Sequence, residues 1–230
     1  MPQRNRYKTY IENGYYHVYN RGVEKRKIFL EEEDYEVFLH LLKYYLSPSD
    51  SETKHPLKEF SSVLLVRPRP LANVGQDVEL LAYCLMPNHF HLLVKQQTLD
   101  GMTKLLRRLL TTYSMYFNKK NDRVGHLFQG TYKAALITED PYILHLSRYI
   151  HLNPLELPLT GSDPVNYPYS SYTYYLGLKK SDWIKPDFIL KFFESNRPPS
   201  LKGYNSYKKF VEENKEDSAS LLGSSVLDEH

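Results

Sequence analysis

Cysteine is almost missing from this chain of 230 residues, with Cys84 the only one. A lone thiol excludes an internal disulfide and points to a reducing compartment. No apolar run approaches the roughly 20 residues a membrane-spanning helix needs. The opening MPQRNRYKTY lacks the apolar core of a signal peptide. The expectation is a soluble, cytoplasmic protein. Charge of one sign is also missing: 30 Lys and Arg against 27 Asp and Glu leave a formal net charge of only +3. What the chain has in plenty is tyrosine, 21 residues. Tyrosine serves cores and strands, stacks on bases and can act as a nucleophile. The length allows one good core with a smaller appendage.

Distribution of charge says more than its sum. Arg4, Arg6, Lys8, Arg21, Lys25, Arg26 and Lys27 crowd the start, and Lys104, Arg107, Arg108, Lys119, Lys120, Arg123 and Lys133 crowd the middle. Residues from Glu212 to Glu229 lean acidic. Basic patches on a nearly balanced chain suit a polyanionic partner, and they equally suit solvated faces of ordinary helices.

Hydrophobic periodicity gives the order of elements. GYYHVYNRG (14–22) reads as a strand and turn, and EEEDYEVFLHLLKYYL (31–46) as an amphipathic helix. Residues 47–77, with many of the Pro, Ser and Asp residues, read as a loop or insertion with room for a short strand at Ser62–Val66. DVELLAYCLM and HFHLLVK read as two strands joined at a tight Pro87–Asn88 corner. MTKLLRRLLTTYSMYFNKK is a basic amphipathic helix, and GHLFQGTYKAALIT a further strand region. EDPYILHLSRYIHLN is a helix with Asp140 as N-cap and Pro141 at N1. KPDFILKFFES reads as helical, and the last dozen residues as frayed. The plan is α+β: an antiparallel sheet with helices on one face. The core is expected over residues 10–160, and residues 161–230 form a C-terminal extension that either covers the sheet or helps clamp a partner.

Two histidines stand out in YCLMPNHFHLLV (83–94). On a strand, His89 and His91 face the same side, and two adjacent imidazoles are half a site for a divalent ion. By itself the pair also reads as packed or surface histidine. The helix over 139–153 places Tyr149 beside Asn153 and one turn from His145. A phenol near an oxygen ligand and paired histidines would join a nucleophile to a Lewis acid; the plainer reading is a core tyrosine and a helix end before Pro154.

Four segments in this order, GYYHVYNRGVEKRKIF, YCLMPNHFHLLV, GHLFQGTYKAALI and LSRYIHLNP, resemble the single-tyrosine HUH transposases. The likeness is nearest to their REP-associated branch, which acts at bacterial repetitive palindromes. NYPYSSYTYYLG is a weaker fifth segment. The resemblance implies a ferredoxin-like HUH nuclease core in which His89 and His91 bind metal, Tyr149 is the catalytic tyrosine and Asn153 is the third ligand. It implies Mg²⁺ or Mn²⁺ as cofactor, and single-stranded DNA with a hairpin as partner. Cleavage would then proceed through a 5′-phosphotyrosine. Asn88 and Arg21 match family positions without so clear a role, and Thr131 stands where many members carry arginine. Lys104, Arg107, Arg108 and Lys133, with Arg21, are the expected DNA contacts. His145 is the candidate proton acceptor. A monomer is expected rather than a homodimer. Two other readings remain open: a hairpin-binding protein with little catalysis, and a hydrolase that activates water with Tyr149 structural.

Overall fold

The computed structural model describes residues 10–47, 72–157, 163–194, 201, 203 and 205–213. The strand expected at Ser62–Val66, the arginines and lysine of the first nine residues and the frayed end lie outside the described residues.

Strand β1 (Tyr15–Arg21) leads into helix α1 (Glu32–Leu46), strands β2 (Val78–Met86) and β3 (His89–Gln96), helix α2 (Gly101–Lys120), strand β4 (Lys133–Ile137) and helix α3 (Asp140–Leu152). The strands form one sheet in the order β2-β3-β1-β4, with every neighbouring pair antiparallel. Because β3 lies between β1 and β2, the first three strands and α1 make a split β-α-β unit, as the α+β expectation requires.

Local chemistry explains most of these boundaries. The first turn of α1 carries Glu32, Glu33 and Asp34, and a capping box links Glu31 and Asp34, satisfying amides that the helix leaves unpaired. Two residues, Pro87 and Asn88, close the β2–β3 hairpin. Its turn is clamped from outside: Pro87 O accepts from Ile28 N at 2.8 Å and Phe29 N at 3.1 Å, and Asn88 O accepts from Gly22 N at 2.8 Å. Gly22 lets the chain after β1 fold back on itself, since a Cβ there would collide with Arg26 O. The start of β3, and with it His89, is therefore held by the chain that follows β1.

Helices cover both faces of the sheet, where one face had been expected. Tyr16, Val18, Phe90, Leu92 and Val94 share a core with α1 and α2. Leu81, Cys84, Met86 and Leu93 share a second core with Ile143, Leu146 and Ile150 of α3 and with the C-terminal segment. Along β2 the burial is nearly continuous rather than alternating, the signature of a strand buried on both sides.

The C-terminal segment adds short helices α4 (Tyr172–Tyr175), α5 (Asp187–Leu190) and α6 (Tyr207–Glu212). It runs beside β2, where Leu85 N donates to Tyr169 O at 3.0 Å, Ser171 N to Tyr83 O at 2.9 Å and Lys185 N to Leu80 O at 2.9 Å. These bonds cover an otherwise open sheet edge. Two further boundaries differ from expectation. Glu139, not Asp140, occupies the N-cap of α3 without a side-chain bond. The helix expected around Asp187 is one short turn followed by a 3-10 turn, Lys191–Phe193.

Candidate active site

The side of the sheet under α3 gathers the chemistry. Register places Arg21 opposite His89 and Tyr19 opposite His91 on β1 and β3, and Lys133 opposite Tyr19 on β4. Since alternate residues share a face, His17, Tyr19, Arg21, His89, His91 and Lys133 lie on one surface. Tyr149 descends onto it from α3, its ring edge-on to His91 with centroids 5.4 Å apart. The histidine pair and the tyrosine, far apart in sequence, thus meet because α3 crosses that face of the sheet.

Both histidines are held neutral. His91 is fully buried, and burial first, then the neighbouring His89 and His17, push its pKa well below the usual imidazole value. His89 is half-buried. Burial of its ring lowers its pKa to about 4, the nearby Asn153 side chain opposes that shift, and Arg21 adds to it. A neutral imidazole is the form that ligates a metal.

The hydrogen bonds also decide which nitrogen is available. Nδ1 of His89 lies 2.7 Å from Asn88 Oδ1, an atom that only accepts. His89 therefore carries its proton on Nδ1 and leaves Nε2 as a lone pair. The Asn88 orientation is fixed by its Nδ2, which donates to Lys25 O at 3.3 Å. On His91, Nδ1 is engaged by His17 Nε2 at 2.9 Å, and the buried Nε2 has no hydrogen-bond partner.

Asn153, at the C-cap of α3, is tied to the tyrosine by its amide: Nδ2 donates to Tyr149 O at 3.0 Å. Its Oδ1 is buried with no hydrogen bond of good geometry, although the side chain lies close enough to His89 to influence its protonation. Unpartnered polar atoms in a protein interior are costly. Two such atoms, a nitrogen and an oxygen beside a second imidazole, fit a divalent cation that also takes water and substrate oxygens. Among the described residues no group of three or more His, Cys, Asp or Glu is arranged to hold a metal, so a cation here depends on the asparagine.

The other expected residues divide. Arg21 stands beside the pair, its Nε donating to Gln129 Oε1 at 2.6 Å, and Lys133 lies 5.6 Å over the Tyr19 ring. Lys104, Arg107 and Arg108 are on α2, whose core contacts are on the opposite face of the sheet. Lys104 pairs with Asp100 at 2.9 Å and Asp77 at 3.7 Å, and Arg108 donates to Ala72 O. The structure does not bring these three to the histidines. His145 packs against Phe210 with centroids 5.4 Å apart, and the Tyr149 ring meets His91 and, at 6.3 Å, His17.

Sequence reasoning missed His17 as part of this site. Alternation alone puts it on the side of Tyr19 and Arg21, but only the β1–β3 register shows that this side faces His91.

Comparison with known proteins bears on the same segment. The family described as "Transposase IS200 like" matches residues 72–153. No curated protein matches the chain. Seven chains of solved structure match. One, a REP-associated tyrosine transposase bound to a REP hairpin, has a TM-score of 0.51 and 18% identity, covering 80% of this chain and 91% of that chain; at that identity the likeness is one of fold. The segment carrying His89, His91, Tyr149 and Asn153 thus matches the IS200-like transposase family, as the resemblance read in the sequence implies, and the fold is shared with a REP-associated tyrosine transposase.

Proposed function

We propose that the protein is a metal-dependent endonuclease and strand transferase that cleaves single-stranded DNA beside a hairpin, with Tyr149 as nucleophile. The observation that carries this reading is the meeting of the Tyr149 ring with two neutral imidazoles and two unpartnered ligand atoms, His91 Nε2 and Asn153 Oδ1. His89, His91 and Asn153 would hold Mg²⁺ or Mn²⁺. When bound there, the ion supplies charge stabilisation to a phosphate oxygen.

The protein's own groups have distinct tasks. Asn88 sets the tautomer of His89, and Asn153 joins the ligand set to the backbone of the nucleophile. α3 brings the Tyr149 phenol over the sheet, so attack on the phosphorus forms a tyrosyl phosphodiester as the bond to the 3′ oxygen breaks. The products are a 5′-phosphotyrosine and a 3′-hydroxyl. One phosphodiester replaces another, and rejoining therefore needs no nucleoside triphosphate. Arg21 and Lys133 supply positive charge for flanking phosphates.

The test is incubation of wild type and Tyr149→Phe with labelled single-stranded hairpin DNA, with Mn²⁺ or EDTA, on a denaturing gel. A slow-migrating adduct that needs both Tyr149 and metal supports the reading. Metal-dependent cleavage by the Phe variant moves the nucleophile to water or another tyrosine and leaves Tyr149 structural. Hairpin binding without cleavage on a series of palindromic substrates favours a binding protein.

A further inference from the structure

His17 lies outside the segment matched by the family, and the reaction above gives it no task. It is fully buried near the middle of β1, with β3 on one side and β4 on the other. Its ring lies nearly parallel to that of His91, centroids 5.1 Å apart and planes at 20°. Its Nε2 stands 2.9 Å from His91 Nδ1.

One of those two nitrogens must carry the proton they share, and the choice decides what His91 can do. A neutral His91 that accepts at Nδ1 must carry its own proton on Nε2. That would aim a buried N–H into the site and bar the nitrogen from coordinating an ion. A His91 that donates from Nδ1 instead leaves Nε2 as a lone pair. The neighbouring His89 already follows this second pattern, since Asn88 Oδ1 can only accept from its Nδ1. Two matched imidazoles would then present Nε2 lone pairs from the same strand face.

We propose that His17 is a positioning residue for His91: it accepts the Nδ1–H hydrogen bond and so fixes the tautomer whose Nε2 lone pair faces the ion-binding position. This assignment rests on the metal reading proposed above. A free neutral histidine prefers its proton on Nε2, so His91 needs an acceptor at Nδ1 to hold the other form. Central-strand placement makes that acceptor rigid, because the backbone of His17 is held by strands on both sides. Partners of this kind orient a ligand histidine and raise its basicity.

The experiment uses wild type, His17→Gln and His17→Phe. Glutamine carries an acceptor oxygen near the place of the imidazole Nε2; phenylalanine keeps the ring and removes the acceptor. Nitrogen chemical shifts of labelled histidine report the His91 tautomer in metal-free protein, with His91→Gln assigning the resonance. Quenching of the aqueous Mn²⁺ electron paramagnetic resonance signal reports ion affinity, and urea unfolding checks that each variant folds.

The expected result is an Nδ1–H tautomer of His91 in wild type and His17→Gln. In His17→Phe the proton moves to Nε2, and Mn²⁺ affinity falls about 10- to 100-fold while the Gln variant stays close to wild type. An Nε2–H tautomer in wild type overturns the assignment, and decides the matter alone should the Phe variant not fold. Wild-type Mn²⁺ binding that is indifferent to His17→Phe overturns this assignment and leaves the metal reading standing. A wild type that binds no Mn²⁺ brings down both.

Discussion

The ring of Tyr149 meets the ring of His91 edge-on, with centroids 5.4 Å apart and planes at 83°. A residue of the helix that covers the sheet is thereby set against a residue of the sheet's second strand from one edge. Everything proposed for the reaction depends on that contact persisting as DNA enters.

Asn153 joins the two halves, so its loss should show in two ways. Asn153→Ala removes the unpartnered Oδ1 and the 3.0 Å bond to Tyr149 O. Mn²⁺ affinity should fall by at least about tenfold, comparable to or greater than the loss of an outer-shell partner. Stability should fall by only about 1 kcal/mol, the usual worth of one hydrogen bond. Titration with Mn²⁺ and urea unfolding measure the two; unchanged affinity would remove Asn153 from the ligand set.

Charge near the site should matter more to DNA than charge on α2. Arg21→Ala and Lys133→Ala should each weaken hairpin binding and reduce the slope of log affinity against log salt by about 1. Arg107→Ala should leave both unchanged, since α2 packs on the opposite face. A salt series of binding isotherms separates these outcomes. A strong Arg107 effect would place DNA across α2, where the sequence reading had put it.

Lys120 answers to acids of its own chain. Its ammonium lies 2.9 Å from the fully buried Asp34 carboxylate and 2.8 Å from Glu33, and it also pairs with Glu31. Burial opposes its charge, but these bonds outweigh burial and raise its pKa. Lys120→Met should cost about 3 kcal/mol in urea unfolding, because it leaves a buried carboxylate without its cation. Adding Asp34→Asn should recover part of that loss. A cost under about 0.5 kcal/mol, the range of ordinary surface substitutions, would show the cluster to be solvated.

Stability should also fall in mild acid. His151 is fully buried, bonded at 2.7 Å to both Tyr207 Oη and Ser171 Oγ, and burial lowers its pKa from 6.5 to about 3. Above pH about 6.5 neither folded nor unfolded chain protonates it. Below that the unfolded chain takes up a proton that the folded one refuses. Stability then drops by about 1.4 kcal/mol per pH unit for each such histidine as pH falls toward 3. His89 adds to the slope down to about pH 4. His151→Gln should remove one histidine's share of the slope between pH 6 and 4, whatever it costs at pH 8. An unchanged slope would mean that His151 takes up its proton in the folded state.

Much of this architecture was legible in local pattern. The β-forming apolar runs DVELLAYCLM and HFHLLVK, broken at Pro87–Asn88, located the β2–β3 hairpin, and the 3.6-residue spacing around Phe38 and Leu42 located α1. Long-range facts were less legible. The unbroken apolar run in β2 already implied burial on both faces, yet helices on one face were expected because local pattern does not say which helix returns to which side. β4 proved to be only Lys133–Ile137, since the preceding residues bond to the end of β1 as a loop, Gln129 N to Arg21 O at 2.8 Å. His17 was hidden for a related reason: its partner is 74 residues away, and only strand register joins them. The basic residues of α2 looked free in sequence; Asp100 is a neighbour of Lys104 within one helical turn, but Asp77 and the acids around Lys120 become visible only when distant segments pack.

The most direct measurement is mass mapping of the covalent species after reaction with a single-stranded hairpin substrate and Mn²⁺. The account predicts one modified peptide, carrying the 5′-phosphate of the cleaved strand on Tyr149, and none with EDTA or with Tyr149→Phe. A modified peptide centred on another tyrosine, or cleaved DNA with a free 5′-phosphate and no adduct, would contradict it.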